Sequence, residues 1–498
     1  MKTSALAVIA AMTATGAFAQ DISQADSEWF TAGQATIEQR LALQPNTNRA
    51  RNVILFSADG NGVATNYAIR LFAGQQAGGL GDDHVLPHET FPNMALVKTY
   101  TVNGQTPDSA PTASAMLTGV KSKNTMINVD GDVAVGDCAN LPGNELTTLS
   151  QIAKDMGKSV GIVTTTRLTH ATPAAAYAAT VHRNWEDDSL MPADCNTQKD
   201  IAAQLFDAME SGLIDLALGG GRQHFLPADV TDDEGRMGKR TDGRNLIEEI
   251  TALGGQYVWN SEGFAGLGAT GNAPILGLFE ASHMQYEHDR TDEPSLAEMT
   301  SAAIERLSAN DEGYFLSIEA GRIDHANHGG NLHRVLSDGV AFAEAVQTAI
   351  DMVDDSDTLI IVTADHAHAL AFNGYCGRGS DITGLCMAVN DEGVEHTGEP
   401  ELAADGKPYT VAGYLNGAGS VLVEQEDGSF SGTRPDDLTN EAAMDPDYLQ
   451  QALVPMDSET HSGADVAVYA KGPWAHLVGG TIEQNVIFHV MNYAMTAE

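Results

Sequence analysis

Asp357-Thr358-Leu359-Ile360-Ile361-Val362-Thr363-Ala364-Asp365-His366-Ala367-His368 is the stretch that decides the fold. Its unbroken aliphatic run reads as a strand buried on both faces, and such strands belong to parallel sheets covered by helices. It ends in Asp365-His366, residue types that bind metal ions. The same device recurs twice. Tyr314-Phe315-Leu316-Ser317-Ile318 runs into Glu319-Ala320-Gly321-Arg322-Ile323-Asp324-His325-Ala326-Asn327-His328, and Val53-Ile54-Leu55-Phe56 runs into Asp59. Ligands of open parallel sheets gather in the crevice beyond the carboxyl ends of the strands, so the three ends are expected to converge on one site. Imidazoles with carboxylates suit Zn²⁺, whereas a set of carboxylate and hydroxyl oxygens suits Mg²⁺.

Outward from these strands, apolar patterning alternates between strand and helix. Strands are expected at 52–57, 94–100 and 159–164, helices at 63–75, from Ser109 onward and at 146–156, with further units near 216–219, 246–253, 296–307 and 335–353. This alternation implies the α/β class: a large, mostly parallel central sheet with helices on both faces. Residues 27–43 read as an amphipathic helix with Trp29, Phe30, Ile37 and Leu41 as its apolar positions. Between His368 and Glu459 the pattern breaks into Gly-, Asp- and Glu-rich sequence, an inserted subdomain over about 370–458. Tyr409, Val411, Tyr414, Leu415, Val421 and Val423 alternate there like short strands, which favours order over a disordered acidic loop.

The chain opens with Lys2, an apolar run over 5–12 and Ala17-Phe18-Ala19, the pattern of a secretory signal peptide cleaved after Ala19. That run is too short to span a bilayer, so a soluble periplasmic or secreted protein without a membrane anchor is expected. The 498 residues hold 26 Lys+Arg and 68 Asp+Glu, a net charge of −42. Lys2 is the only charged residue of the leader, so the remainder carries −43. Such charge repels nucleic acid and anionic membrane, and it suits a saline habitat where self-repulsion is screened. Four cysteines in an exported chain favour two disulfides. Sequence alone allows three pairings, and the spacings suggest Cys138 with Cys195 and Cys376 with Cys386.

The nucleophile is sought in Thr106-Pro107-Asp108-Ser109-Ala110-Pro111-Thr112-Ala113-Ser114-Ala115, where Ser109 follows a Pro-Asp turn and should sit at a helix N-terminus that favours an anion. Taken alone, Ser109 is better explained as a helix cap. Its company reverses that. Asp108-Ser109-Ala110 with Thr112-Ala113, the Asp324 and His328 pair, Asp365-His366 and Glu459-Thr460-His461, in this order, resemble the alkaline phosphatase family from about Leu43 to Met491. The likeness is nearer the animal and marine-bacterial type than the short enteric type. Several separated motifs in register are far more specific than any one.

The resemblance implies a homodimeric phosphomonoesterase with two Zn²⁺ and one Mg²⁺ per subunit, acting on small phosphate monoesters through a phosphoserine at alkaline pH. Asp59, Asp365 and His366 would bind the zinc that activates Ser109, and Asp324, His328 and His461 the second zinc. Thr172, with Asp59 and Glu319, would hold the magnesium. His170 and His325 would stand behind these ligands. Arg183 would take two phosphoryl oxygens on its planar fork, positioned by Asp108. In the family the N-terminal arm, here about 20–45, packs on the partner subunit, and the insert forms a crown over the dimer interface. Animal members carry a calcium site near a pair resembling Phe279-Glu280; read from the residues, Glu280 and Glu293 form a solvated acidic face. His368, Arg322 and His288 have outer positions or ordinary surface roles. Ser109-Ala110-Pro111-Thr112-Ala113 echoes a sulfatase modification motif but has Ala113 where that motif has arginine, which argues against a sulfatase or phosphodiesterase. A non-catalytic metal- or phosphate-binding relative would be expected to have lost at least one of these groups.

Overall fold

The computed structural model describes residues 22–268, 271, 273–390 and 396–497. The expected leader over 1–19 and its cleavage point lie outside the described residues. Eight strands carry the argument: β1 Asn52–Ala58, β2 Asn93–Lys98, β3 Ser159–Arg167, β4 Leu216–Gly220, β5 Gln256–Val258, β6 Ile275–Leu278, β7 Tyr314–Ala320 and β8 Thr358–Ala364. With Val466–Lys471 and Gly480–Glu483 they form one sheet in the order Gly480–Glu483, β2, Val466–Lys471, β8, β1, β7, β3, β4, β6, β5. Val466–Lys471 runs antiparallel to β2 and β8, and the other neighbours are parallel. The mostly parallel α/β sheet is thus as the alternation implied.

Every residue of β7 and β8 is buried, the result expected of strands covered on both faces. The period of two in β1 shows how. Val53 and Leu55 join a core with Leu205, Phe206, Ile487 and Met491, whereas Ile54 and Phe56 join another with Ile69, Met299, Val335 and Phe342. Phe56 meets Phe342 edge-on at 5.9 Å, and truncating Phe342 to alanine should cost about 3–5 kcal/mol. Helix starts follow capping chemistry. Thr148 accepts from the Gln151 N–H, so the helix expected from residue 146 begins at Leu149 instead.

Short paired strands run through the described residues of 370–458. Leu370–Phe372 pairs antiparallel with Ala412–Gly417, which runs parallel to Ala452–Pro455, and Val423–Glu424 pairs with Phe430–Ser431. Disulfides join Cys138 to Cys195 and Cys376 to Cys386. The segment before Pro45 forms its own unit, with a helix Glu28–Ala42 that has no buried residue; Trp29 is 83 % and Leu41 77 % exposed. Among the described residues no helix is long and apolar enough to cross a membrane.

Candidate active site

Strand ends build the site. β1 runs into Asp59, β7 into Glu319 and then Asp324, and β8 into Asp365 and His366, with β1 lying between the other two. Asp59, Asp365 and His366 are fully buried. Gly60 turns the chain at φ +72, and a Cβ there would stand 2.5 Å from the His368 ring, so glycine is required twice over. Its N–H donates to Asp365 Oδ1 at 3.0 Å.

Ser109 is the first residue of the buried helix Ser109–Thr118, and Asp108 is its cap, accepting from the Ala110 N–H at 2.8 Å. Ser109 Oγ lies 3.3 Å from both Asp59 oxygens and 3.2 Å from His366 Nε2. His366 Nε2 is 3.3 Å from Asp59 and 3.2 Å from Asp365. Four ligands arranged tetrahedrally at about 2.0 Å from Zn²⁺ stand about 3.3 Å from one another. The donor atoms around Ser109 have that spacing.

A second set lies alongside, with the His366 and His461 rings stacked at 3.6 Å. Asp324 Oδ1 is 3.3 Å from His461 Nε2 and 3.5 Å from His328 Nε2, and the two imidazole nitrogens are 3.0 Å apart. His328 Nδ1 donates to the Glu459 carbonyl at 2.6 Å and His461 Nδ1 to the Pro107 carbonyl at 2.8 Å. Both rings therefore turn an Nε2 lone pair toward the shared point. His461 arrives there because His461–Ser462 pairs with Ala367–His368.

His368 is different in kind. Its Nε2 donates to Asp324 Oδ1 at 2.7 Å and its Nδ1 to Glu459 Oε2 at 2.5 Å, direct hydrogen bonds that orient a carboxylate. Burial opposes its charge, but these two acids outweigh burial and push the imidazole up to about 9. The surface alternative for His368 is therefore excluded, since it is 5 % exposed. Burial also works against ionised Asp324, yet the hydrogen bond from His368 and the charge of that ring hold the carboxyl well below its usual range. Asp59 is pushed well up, by burial and then by the charges of Asp365, Asp324 and Glu319. Carboxylates crowded away from water favour a bound cation.

The third set fits a cation as well. Glu319 Oε2 accepts from Thr164 and Thr166, while its Oε1 has no partner. Thr172 Oγ1 lies against Glu319 without completing a hydrogen bond. A His170 ring nitrogen and carboxylate oxygens of Asp59 and Glu319 lie within 4.8 Å of one another.

Arg183 forks between Asp108 Oδ1 at 3.2 Å and His170 Nε2 at 2.8 Å. His325 takes a hydrogen bond from Arg322 at Nδ1, 3.0 Å, and meets His170 at 5.5 Å between ring centres. Sequence reasoning missed several partners: Glu186, which takes the Arg167 guanidinium at 2.7 and 2.8 Å, and His283, which joins His170 and His325. Arg322 stacks over Tyr286 at 3.7 Å, and His288 pairs with His333 at the surface. The solvated-face reading of Glu293 is wrong. It is 4 % exposed with Oε1 unpartnered, and burial, then the charges of Glu280 and Glu234, push its carboxyl up to about 8 against one hydrogen bond from the Gln285 N–H.

A family model described as alkaline phosphatase matches residues 50–497. The chain is 43 % identical over 480 residues to an alkaline phosphatase of Gadus morhua, covering 94 % of this chain and 96 % of that one. It is 41 % identical over 495 residues to the tissue-nonspecific alkaline phosphatase of Rattus norvegicus, covering 96 % and 90 %. Among solved structures, Thermus thermophilus alkaline phosphatase aligns with TM-score 0.64 at 25 % identity over 91 % of this chain and 93 % of that one. The alkaline phosphatase of the Antarctic bacterium TAB5 shares the fold, with TM-score 0.60 at 20 % identity over 90 % and 99 %.

Proposed function

The chain belongs to the alkaline phosphatase family and is a phosphomonoesterase of that superfamily, and from this footing we propose that it hydrolyses small phosphate monoesters through a phosphoserine on Ser109, at alkaline pH and outside the cytoplasm. One observation carries the reading: Ser109 Oγ stands at a buried helix N-terminus, 3.2–3.3 Å from Asp59 and His366, next to the aspartate that ties down Arg183.

Asp59, Asp365 and His366 with Ser109 would hold one Zn²⁺, Asp324, His328 and His461 a second, and Asp59, Thr172 and Glu319 an Mg²⁺. When bound, these ions supply Lewis acidity and positive charge that favour deprotonated oxygen nucleophiles and leaving oxygens. The Arg183 guanidinium grips two phosphoryl oxygens, and the N-terminus of the Ser109 helix favours the same negative charge. Ser109 Oγ gives up its proton to solvent and attacks phosphorus, and the ester P–O bond breaks as the leaving oxygen takes a proton from solvent and departs as the alcohol. Water then attacks the phosphoserine from the vacated side and gives up a proton, the P–Oγ bond breaks with a proton returned to Ser109 Oγ, and phosphate leaves; two inversions give net retention. Turnover rises in alkali as the attacking hydroxyl groups deprotonate.

The signal-peptide pattern over 1–19 and the two disulfides support export. The insert over about 370–458 serves as a crown-like surface for a homodimer, which its exposed Leu402, Leu415 and Leu453 support; separately, the arm over about 20–45, with exposed Trp29 and Leu41, packs on the partner subunit.

The test is hydrolysis of a chromogenic phosphate monoester by the mature protein across pH, before and after chelation, with Zn²⁺ and Mg²⁺ restored. Phosphoserine trapped by acid quench is located by mass spectrometry. Chelator-sensitive alkaline activity with phosphate on Ser109 is expected. Full turnover by Ser109→Ala, or an inert zinc-loaded protein, would sink the reading.

A further inference from the structure

The loop after β6 brings a third imidazole behind the site. His283 meets His325 at 4.2 Å and His170 at 5.3 Å between ring centres, both edge to face. Arg167 donates from its guanidinium to His283 Nε2. The same guanidinium forks onto Glu186, which also accepts from Thr169 Oγ1 at 2.6 Å. Glu186 lies three residues beyond Arg183, and Arg183 donates to His170 Nε2. The contacts close a ring: Arg183 to His170, His170 to His283, His283 to Arg167, Arg167 to Glu186, and back along the chain to Arg183.

We propose that His283 is a positioning residue, fixing the His170 ring and through it both the Arg183 guanidinium and the Asp59, Thr172 and Glu319 metal position, an inference that rests on the function proposed above. Apart from the bond from Arg183, the His170 ring has no hydrogen bond among the described residues: its Nδ1 is buried without a partner. Ring contacts therefore set its angle: His283, tethered to Arg167, and His325, tethered to Arg322. His283 also lines a cavity of about 510 Å³ together with Gln223, Arg236, Glu280, Tyr286 and Arg322. Removing its ring would enlarge that cavity. A ring nitrogen that presents its lone pair can accept from an arginine, as the His283 and His170 rings do here.

The experiment compares the mature parent, His283→Phe and His283→Gln by calorimetric Mg²⁺ titration of zinc-loaded protein, steady-state kinetics and inhibition by inorganic phosphate. Phenylalanine keeps a ring and loses the acceptor, while glutamine keeps an acceptor for Arg167. His283→Phe is expected to bind Mg²⁺ about 10-fold more weakly, as outer partners of metal ligands do, with KM and the phosphate inhibition constant rising about as much. In the same variant kcat should change less than about threefold, and His283→Gln, which keeps the tether to Arg167 but gives up the ring edge against His170, should lose about as much Mg²⁺ and phosphate affinity. Both variants binding Mg²⁺ and phosphate like the parent would overturn the inference, as would an equal loss of thermal stability in both with no change in either affinity. A parent that turns over but takes up no Mg²⁺ overturns the metal half of the inference. One that neither turns over nor binds phosphate overturns the proposed function itself.

Discussion

Replacing Asp338 by asparagine should stabilise the protein in alkali and leave it nearly unchanged in acid. Asp338 lies on helix Leu332–Met352, 4 % exposed, where its Oδ2 accepts from the Glu287 N–H at 3.1 Å. Burial pushes its carboxyl from 3.8 up to about 8; the Glu287 N–H and Arg322 work against this, while the charges of Glu287 and Asp289 add to it. A carboxyl that holds its proton more tightly when folded contributes stability that is fully present below the unfolded value and is lost as pH rises toward the folded one. Between pH 3.8 and about 8 each pH unit removes about 1.4 kcal/mol, an upper bound near 6 kcal/mol. Relaxation and water penetration reduce such buried-charge costs severalfold, leaving about 2–3 kcal/mol. Asparagine keeps the volume and an acceptor for Glu287 and carries no charge. Thermal midpoints of the two proteins, read by scanning fluorimetry, should agree within about 1 °C near pH 5 and diverge above pH 7, by several degrees near pH 9. A gap that does not depend on pH, or a variant less stable than the parent at pH 9, would refute the reasoning.

Arg183→Ala should lower kcat/KM for a phosphate monoester by about 10²–10³, the loss typical of one charge-stabilising donor, and Arg183→Lys should restore little because it lacks the fork. A lysine variant equal to the parent would place phosphate recognition elsewhere. The disulfide Cys138–Cys195 closes 57 residues, so the double variant Cys138→Ser/Cys195→Ser should lose about 4 kcal/mol on a chain-entropy estimate, measured by denaturant unfolding under non-reducing conditions. An unchanged midpoint would show that the bridge constrains nothing the native contacts do not already hold. With a net charge of −42, the thermal midpoint should climb as NaCl is raised from about 0.05 to 1 M; a flat response would mean the acidic surface is not under self-repulsion.

What could be read from the sequence and what could not divide along a physical line. β7 and β8 are buried on both faces, so they appear as unbroken apolar runs, and their ends carry the acids and imidazoles that the sheet then gathers. β6 gave no such signal. It is Ile275-Leu276-Gly277-Leu278, and Gly277 is needed there because a Cβ would stand 2.7 Å from Leu218 and 2.8 Å from Phe279. The glycine that lets the strand pack also breaks the pattern that would announce it, and the loop carrying His283 was hidden with it. The pairings of orienting partners are hidden for another reason: Glu459 reaches His368 across 91 residues and Glu186 reaches Arg167 across 19, with no periodicity linking either pair. A metal ligand must be one of a few residue types at a strand end, so type and place together betray it. An orienting residue need only offer a hydrogen bond or a ring edge from whichever loop passes nearby. Many residue types meet that demand, so it leaves no mark in the sequence until the fold has brought the groups together.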